Sequence, residues 1–102
     1  MNATLHTLNI SSRENSAVID RLLRCASTGD SVLLIENGVY TLADDNALQA
    51  FHAAGLALYA LQVDIDARGL QHHIISSPVT LLDDSGFVAL ACEHHKTVSW
   101  FA

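Results

Sequence analysis

The feature that most constrains this chain is an alternation. Short apolar runs, SVLLI at 31–35, LALYAL at 56–61 and VTLL at 79–82, are separated by segments whose apolar residues recur at helical spacing. A run that is apolar at every position suits a strand buried on both faces, as in a parallel sheet. Parallel neighbours cannot be joined by a tight turn; they need crossovers, usually helices. The alternation therefore predicts a three-layer α/β/α domain with a five-stranded, mainly parallel sheet, spanning residues 1–102 as a single unit.

The individual elements follow from local signals. TLHTLNI, 4–10, is expected to be the first strand. From Ser16, Val18, Leu22, Cys25 and Ala26 fall on one face of a helix, with Asp20, Arg21 and Arg24 outward and Gly29 as its C-cap. DDNALQAFHAA, 44–54, is a second helix capped by Asp44, Asp45 or Asn46, and Gly55 ends it. VDIDARGL, 63–70, suits a short helical turn. Asp83, Asp84 or Ser85 caps a third helix, GFVALACEHH, and TVSWF, 97–101, closes the sheet.

Glu36-Asn37-Gly38 interrupts this pattern. Asn-Gly between apolar runs is a strong hairpin signal. A buried parallel strand before it and a helix start at Asp44 argue instead for a loop at the C-terminal end of the second strand, with Gly38 supplying a positive φ. In open α/β sheets ligands sit at such ends, which makes Glu36, Asn37 and Gly38 a candidate rim.

Charge excludes one class of function. Eleven acidic and five basic residues give a net charge of −6, and the cations are scattered apart from Arg21 and Arg24. Polyphosphate binding needs Lys and Arg to displace counterions, so direct nucleic-acid binding is not expected. Only 16 % of residues are charged, against roughly 25 % in ordinary soluble domains, which leaves neutral surface suited to subunit contacts. The start, MNATLHTLNISSRENS, has no signal-peptide pattern, and no apolar run approaches the ~18 residues a membrane helix needs. A soluble, cytoplasmic protein is expected.

No catalytic set emerges. Cys25 is near the C-terminal end of its helix, where the dipole disfavours a thiolate, and it shares the apolar stripe; core packing is expected, with sulfur chemistry the weaker candidate role. Cys92, beside Glu93, is expected to be structural. The pairs His72-His73 and His94-His95 match neither the i, i+4 nor the i, i+2 spacing of metal ligands, so no metal is expected. A proton-donor or interface role for one histidine of a pair is the better alternative. Dinucleotide and Walker-type phosphate loops are missing, as is a GxSxG elbow, and no cofactor is expected. Trp100-Phe101 either packs a last strand or anchors a subunit contact, with His94 and His95 beside it.

LHTLN near the start, GDSVLLIENGVY, LYALQVDIDARGL and DSGFVALACEHHKTVSW, in that order from Leu5 to Trp100, resemble the TusB/DsrH family of sulfur-relay subunits. The resemblance implies a DsrE/F/H-like fold. It also implies assembly with TusC-like and TusD-like subunits into a heterohexamer that feeds a TusE-like carrier for 2-thiolation of wobble uridine in tRNA. On this view the chain is a non-catalytic subunit. DsrH proteins of the sulfur-oxidising branch carry a cysteine in the first helix; Leu22 occupies that position here, and Cys25 falls about one turn further on. That favours the Tus branch over a DsrH-like persulfide carrier using Cys25.

Overall fold

The computed structural model describes residues 2–101. The elements are β1 (Thr4–Leu8), α1 (Ser16–Cys25), β2 (Ser31–Leu34), a 3-10 segment (Glu36–Ala43), α2 (Asp45–Ala53), β3 (Ala57–Leu61), α3 (Gln62–Ala67), α4 (Gln71–Ile74), β4 (Thr80–Leu82), α5 (Asp84–Glu93) and β5 (Lys96–Trp100). The five strands form one sheet in the order β4-β3-β2-β1-β5, and every pairing is parallel. The α/β architecture expected from the alternation is the one observed.

The register explains the apolar runs. Leu8, Leu34, Ala60 and Leu81 align across the sheet on one face. There they join Val18, Ile19 and Leu22 of α1, Leu48 and Phe51 of α2 and Ile65 of α3 in the main core. Leu5 and Leu33 point to the other face and pack with Leu90, Phe87 and Ala91 of α5. All four residues of β2 are buried, as befits a central strand covered on both sides. The chain steps from β1 to β4 with its crossovers on one face, then returns over the opposite face through α5 to place β5 beside β1. Crossovers of one hand require this change of face when the direction of travel reverses.

The layers are unequal. The face under α1 to α4 carries the larger apolar cluster, and α5 alone covers the other. Along α5, Phe87, Val88, Ala89, Leu90, Ala91 and Cys92 are all apolar or thiol, yet only Leu90 is buried and Val88 is 62 % exposed. A helix that is apolar all round is normally enclosed. Its outer surface here is bare.

Both caps fall among the expected residues. The Asp44 carboxylate accepts the Ala47 N–H at 3.1 Å and the Asp83 carboxylate accepts the Gly86 N–H at 2.8 Å. Several expectations are corrected. β1 stops at Leu8, and Ile10 is buried in the turn beyond it. α1 ends at Cys25 and its C-cap is Ala26, whose backbone is extended, so Gly29 belongs to the next turn and is not the C-cap. Past Gly69, whose φ is +64°, the chain makes a further helical turn, α4, beyond the one expected over 63–70.

Candidate functional site

Two places gather polar side chains against the sheet. The first is the rim at the C-terminal ends of β2 and β3. Ile35 N–H donates to Leu8 O at 3.0 Å, and the chain then turns into the 3-10 segment through Glu36, whose φ is +49°. Glu36 N–H donates to the Asp64 carboxylate at 2.7 Å. Arg68 ties the next residue down: Nε and Nη2 donate to Asn37 Oδ1 at 3.2 and 3.1 Å, and Nη1 approaches Asp64 Oδ1 at 3.4 Å. The guanidinium also lies 5.9 Å from the centre of the Tyr40 ring. Glu36-Asn37-Gly38 is therefore a fixed strand end, neither a hairpin nor a mobile lip.

Gly38 sits there for a reason other than the one expected. Its φ is not positive; the positive value belongs to Glu36. A Cβ on Gly38 would stand 1.8 Å from Leu8 O and 2.7 Å from Leu8 C. The 3-10 segment crosses directly over the end of β1, and only a residue without a side chain fits.

The second place lies between α1 and the β5 edge. Trp100 Nε1–H donates to His6 Nδ1 at 2.9 Å, and His6 Nε2 meets Asp30 Oδ2 at 3.0 Å. An indole nitrogen only donates, so Nδ1 carries the lone pair and Nε2–H donates to the carboxylate. Asp30 also accepts the Thr4 N–H and the Ser27 N–H, each at 3.0 Å. Burial pushes its carboxyl up, but these backbone bonds and His6 together outweigh burial and hold it below the ordinary carboxylate value. The chain Trp100–His6–Asp30 thus pins β5, β1 and the start of β2 together. Beside it lies a cavity of about 250 Å³ lined by Thr4, His6, Cys25, Lys96, Val98 and Trp100.

The cysteines depart from expectation: both Cys25 and Cys92 are free and exposed. Cys25 keeps the stripe of Val18 and Leu22, but it is the last residue of α1 and opens onto this cavity at the sheet margin. Cys92 faces outward on α5.

The four terminal candidates divide. His94 turns inward, with Nδ1–H donating to Leu90 O at 2.6 Å and Nε2 at 2.8 Å from Ser31 Oγ, so it clasps α5 to β2. Trp100 is half-buried on His6. His95 is exposed and Phe101 is 65 % exposed. The His72 and His73 ring centroids lie 4.1 Å apart on α4, with the planes tilted by 39°. Among the described residues, no three His, Cys, Asp or Glu side chains gather to hold a metal, and no buried side-chain nitrogen or oxygen lacks a partner. No helix among them is long and apolar enough to cross a membrane.

Neither polar network was foreseen from sequence. The available signal was a histidine and a tryptophan on the strand face they share with Leu8 and Val98; buried polar atoms require partners. Asp30, just before β2, was the acid within reach.

Fold and site together define a small all-parallel α/β protein whose buried polar side chains tie its own strands together and whose outer helix is largely exposed. The comparisons narrow that class. The family described as "DsrH like protein" matches residues 11–97. "Protein TusB" of Pectobacterium parmentieri is 38 % identical over 97 residues, covering 94 % of this chain and 99 % of that protein. "Protein TusB" of Photorhabdus laumondii is 40 % identical over 84 residues, covering 81 % and 84 %. The Escherichia coli K12 protein of the same name is 39 % identical over 80 residues, covering 78 % and 83 %. The chain belongs to the DsrH-like family.

Proposed function

We propose that this chain is a non-catalytic subunit of a cytoplasmic sulfur relay, acting as a single domain over its whole length. It joins TusC-like and TusD-like subunits in a heterohexamer that passes persulfide sulfur to a TusE-like carrier for 2-thiolation of wobble uridine in tRNA. Family membership supports the relay. The observation that carries the structural role is α5, whose outer side presents Val88, Ala89 and Cys92 to solvent. Covering that side by another subunit removes apolar surface from water at roughly 25 cal/mol per Å². Phe101 and His95 add exposed area at the chain end, while His94 holds α5 to β2 from beneath. The net charge of −6 leaves tRNA contact to other subunits.

The test is co-expression with TusC-like and TusD-like chains. Co-purification of all three as one species is expected, and Val88→Glu should weaken it. A chain that stays monomeric when mixed with both partners refutes the proposal.

One observation favours a second reading, the DsrH-like persulfide carrier: the Cys25 thiol is exposed and shares its cavity with Lys96. Incubation with a persulfide donor followed by mass measurement decides it. A mass gain of one sulfur on Cys25 supports it, and an unchanged mass, alone and in complex, removes it.

A further inference from the structure

β5 ends the sheet, and its free side has a symmetry of its own. Among the described residues it pairs with β1 only. In a parallel ladder the N–H and C=O of one residue point to the same neighbour, and successive residues alternate. Asn9 N–H donates to Trp100 O at 3.2 Å, so Trp100, Val98 and Lys96 direct their backbone toward β1. Thr97 and Ser99 direct theirs outward. These two lie on either side of Val98.

We propose that β5 pairs antiparallel with β5 of a second copy of this chain, across a two-fold axis at Val98. In that register Thr97 faces the second copy's Ser99, and Ser99 its Thr97. Both are outward-directed residues, so each pair exchanges two backbone hydrogen bonds and no outward N–H or C=O of either residue is left over. A shift by one residue would set an outward residue against an inward one and lose these bonds. Val98 meets Val98, a β-branched pair that suits the close spacing of a non-hydrogen-bonded site.

Charge supports the same occupant. Two chains of −6 repel at long range, but residues 96–101 contain no acid and one cation, Lys96. The register places Lys96 opposite the second copy's Trp100, where an ammonium meets an indole. A lysine on an edge strand usually guards it against pairing; here the self-complementary order Lys-Thr-Val-Ser-Trp gives that lysine an aromatic partner. The same register sets exposed Phe101 opposite the second copy's exposed His95. The proposal does not rest on the sulfur-relay reading, and its failure would leave that reading intact.

Directly opposed residues of a non-hydrogen-bonded antiparallel pair have Cα atoms about 4.5 Å apart, inside the disulfide range. With Cys25 and Cys92 replaced by serine, mild oxidation of Val98→Cys is expected to give a covalent dimer. Thr97→Cys and Ser99→Cys, offset from their own copies by two residues, should give none. Ser99→Pro deletes an outward N–H and spares the backbone ladder to β1, losing there only the Thr7 hydroxyl's bond to Ser99 Oγ at 3.2 Å, so it should keep the circular dichroism of the parent and lose the dimer. In sedimentation the unsubstituted chain should show twice its 11.0 kDa mass. A monomer by sedimentation, or equal cross-linking at all three positions, overturns the proposal. So does protection of β5 amides that develops only when TusC-like and TusD-like chains are added, which would assign the edge to another subunit.

Discussion

Replacing Gly38 with alanine should be among the most damaging single changes available to this chain. The added Cβ would stand 1.8 Å from Leu8 O and 2.7 Å from Leu8 C, where real contacts exceed 3.0 Å. Leu8 cannot retreat, because β1 is paired on both sides and its side chain is 0 % exposed. The 3-10 segment must move instead, and it carries Val39 and Thr41 at 0 % exposure and Leu42 at 2 %. Overpacking of this kind costs about 1–3 kcal/mol. The Ile35–Leu8 and Gly38–Ile35 backbone bonds, at 3.0 and 2.8 Å, are strained with it, at about 1 kcal/mol each. A loss of about 3–5 kcal/mol is a large share of the roughly 5–15 kcal/mol that holds a domain together. At about 4–8 °C per kcal/mol, thermal unfolding followed by circular dichroism should fall by at least about 12 °C. Gly38→Asn should be no better than alanine, since asparagine relieves a positive φ and not a clash. Glu36→Gly should be neutral or stabilising by up to about 1 kcal/mol, because the strained φ is at that residue. An alanine variant within about 1 kcal/mol of the parent, or rescue by asparagine, would refute the close-approach argument.

Trp100→Phe keeps an aromatic ring but leaves His6 Nδ1 without its donor, and should cost about 1–3 kcal/mol in urea unfolding; an unchanged midpoint would show that the bond contributes nothing. Asp44 is held below the ordinary value of 3.8 by the Ser12 hydroxyl and the Ala47 N–H, which together outweigh burial, with Arg13 adding to them. A depressed folded value means its stabilisation is present above the unfolded value and is lost as pH falls through the folded one. Asp44→Ala should therefore lower stability by about 1 kcal/mol at neutral pH, and the gap should narrow as the pH drops below about 4. A gap that is constant down to acid pH would count against the carboxylate. Both thiols should react with a thiol reagent in native protein; a thiol that appears only in denaturant would restore the core assignment for that cysteine.

Local periodicity carried much of the fold, and the misses share a cause. The strand at SVLLI and the caps at Asp44 and Asp83 depend on neighbours within a few residues, so they are legible in one dimension. The His6–Asp30 and Trp100–His6 bonds join residues 24 and 94 positions apart, and nothing local marks them. Gly38 shows how a correct residue can carry the wrong reason: glycine next to asparagine suggests backbone freedom, while the true demand comes from β1, folded against it. Cys25 failed for a related reason. Helical spacing told which way the thiol points, but not that the sheet margin there lacks a further layer to bury it.

The placement of the thiols bears on the choice between holding sulfur and holding subunits. All five strands run parallel, so their C-terminal ends share one side of the sheet, the side where α/β proteins do chemistry. On that side this chain offers Asn37, Asp64 and Arg68, already bonded to one another, and no cysteine. α1 returns the chain from the end of β1 to the start of the parallel strand β2, so its last residue, Cys25, stands toward the opposite side, although its cavity runs along β5 as far as Trp100. A persulfide on Cys25 would be presented away from the C-terminal strand ends. The exposed side of α5 and the edge of β5 have no such conflict, which supports the proposed role of a subunit that contributes surfaces to an assembly.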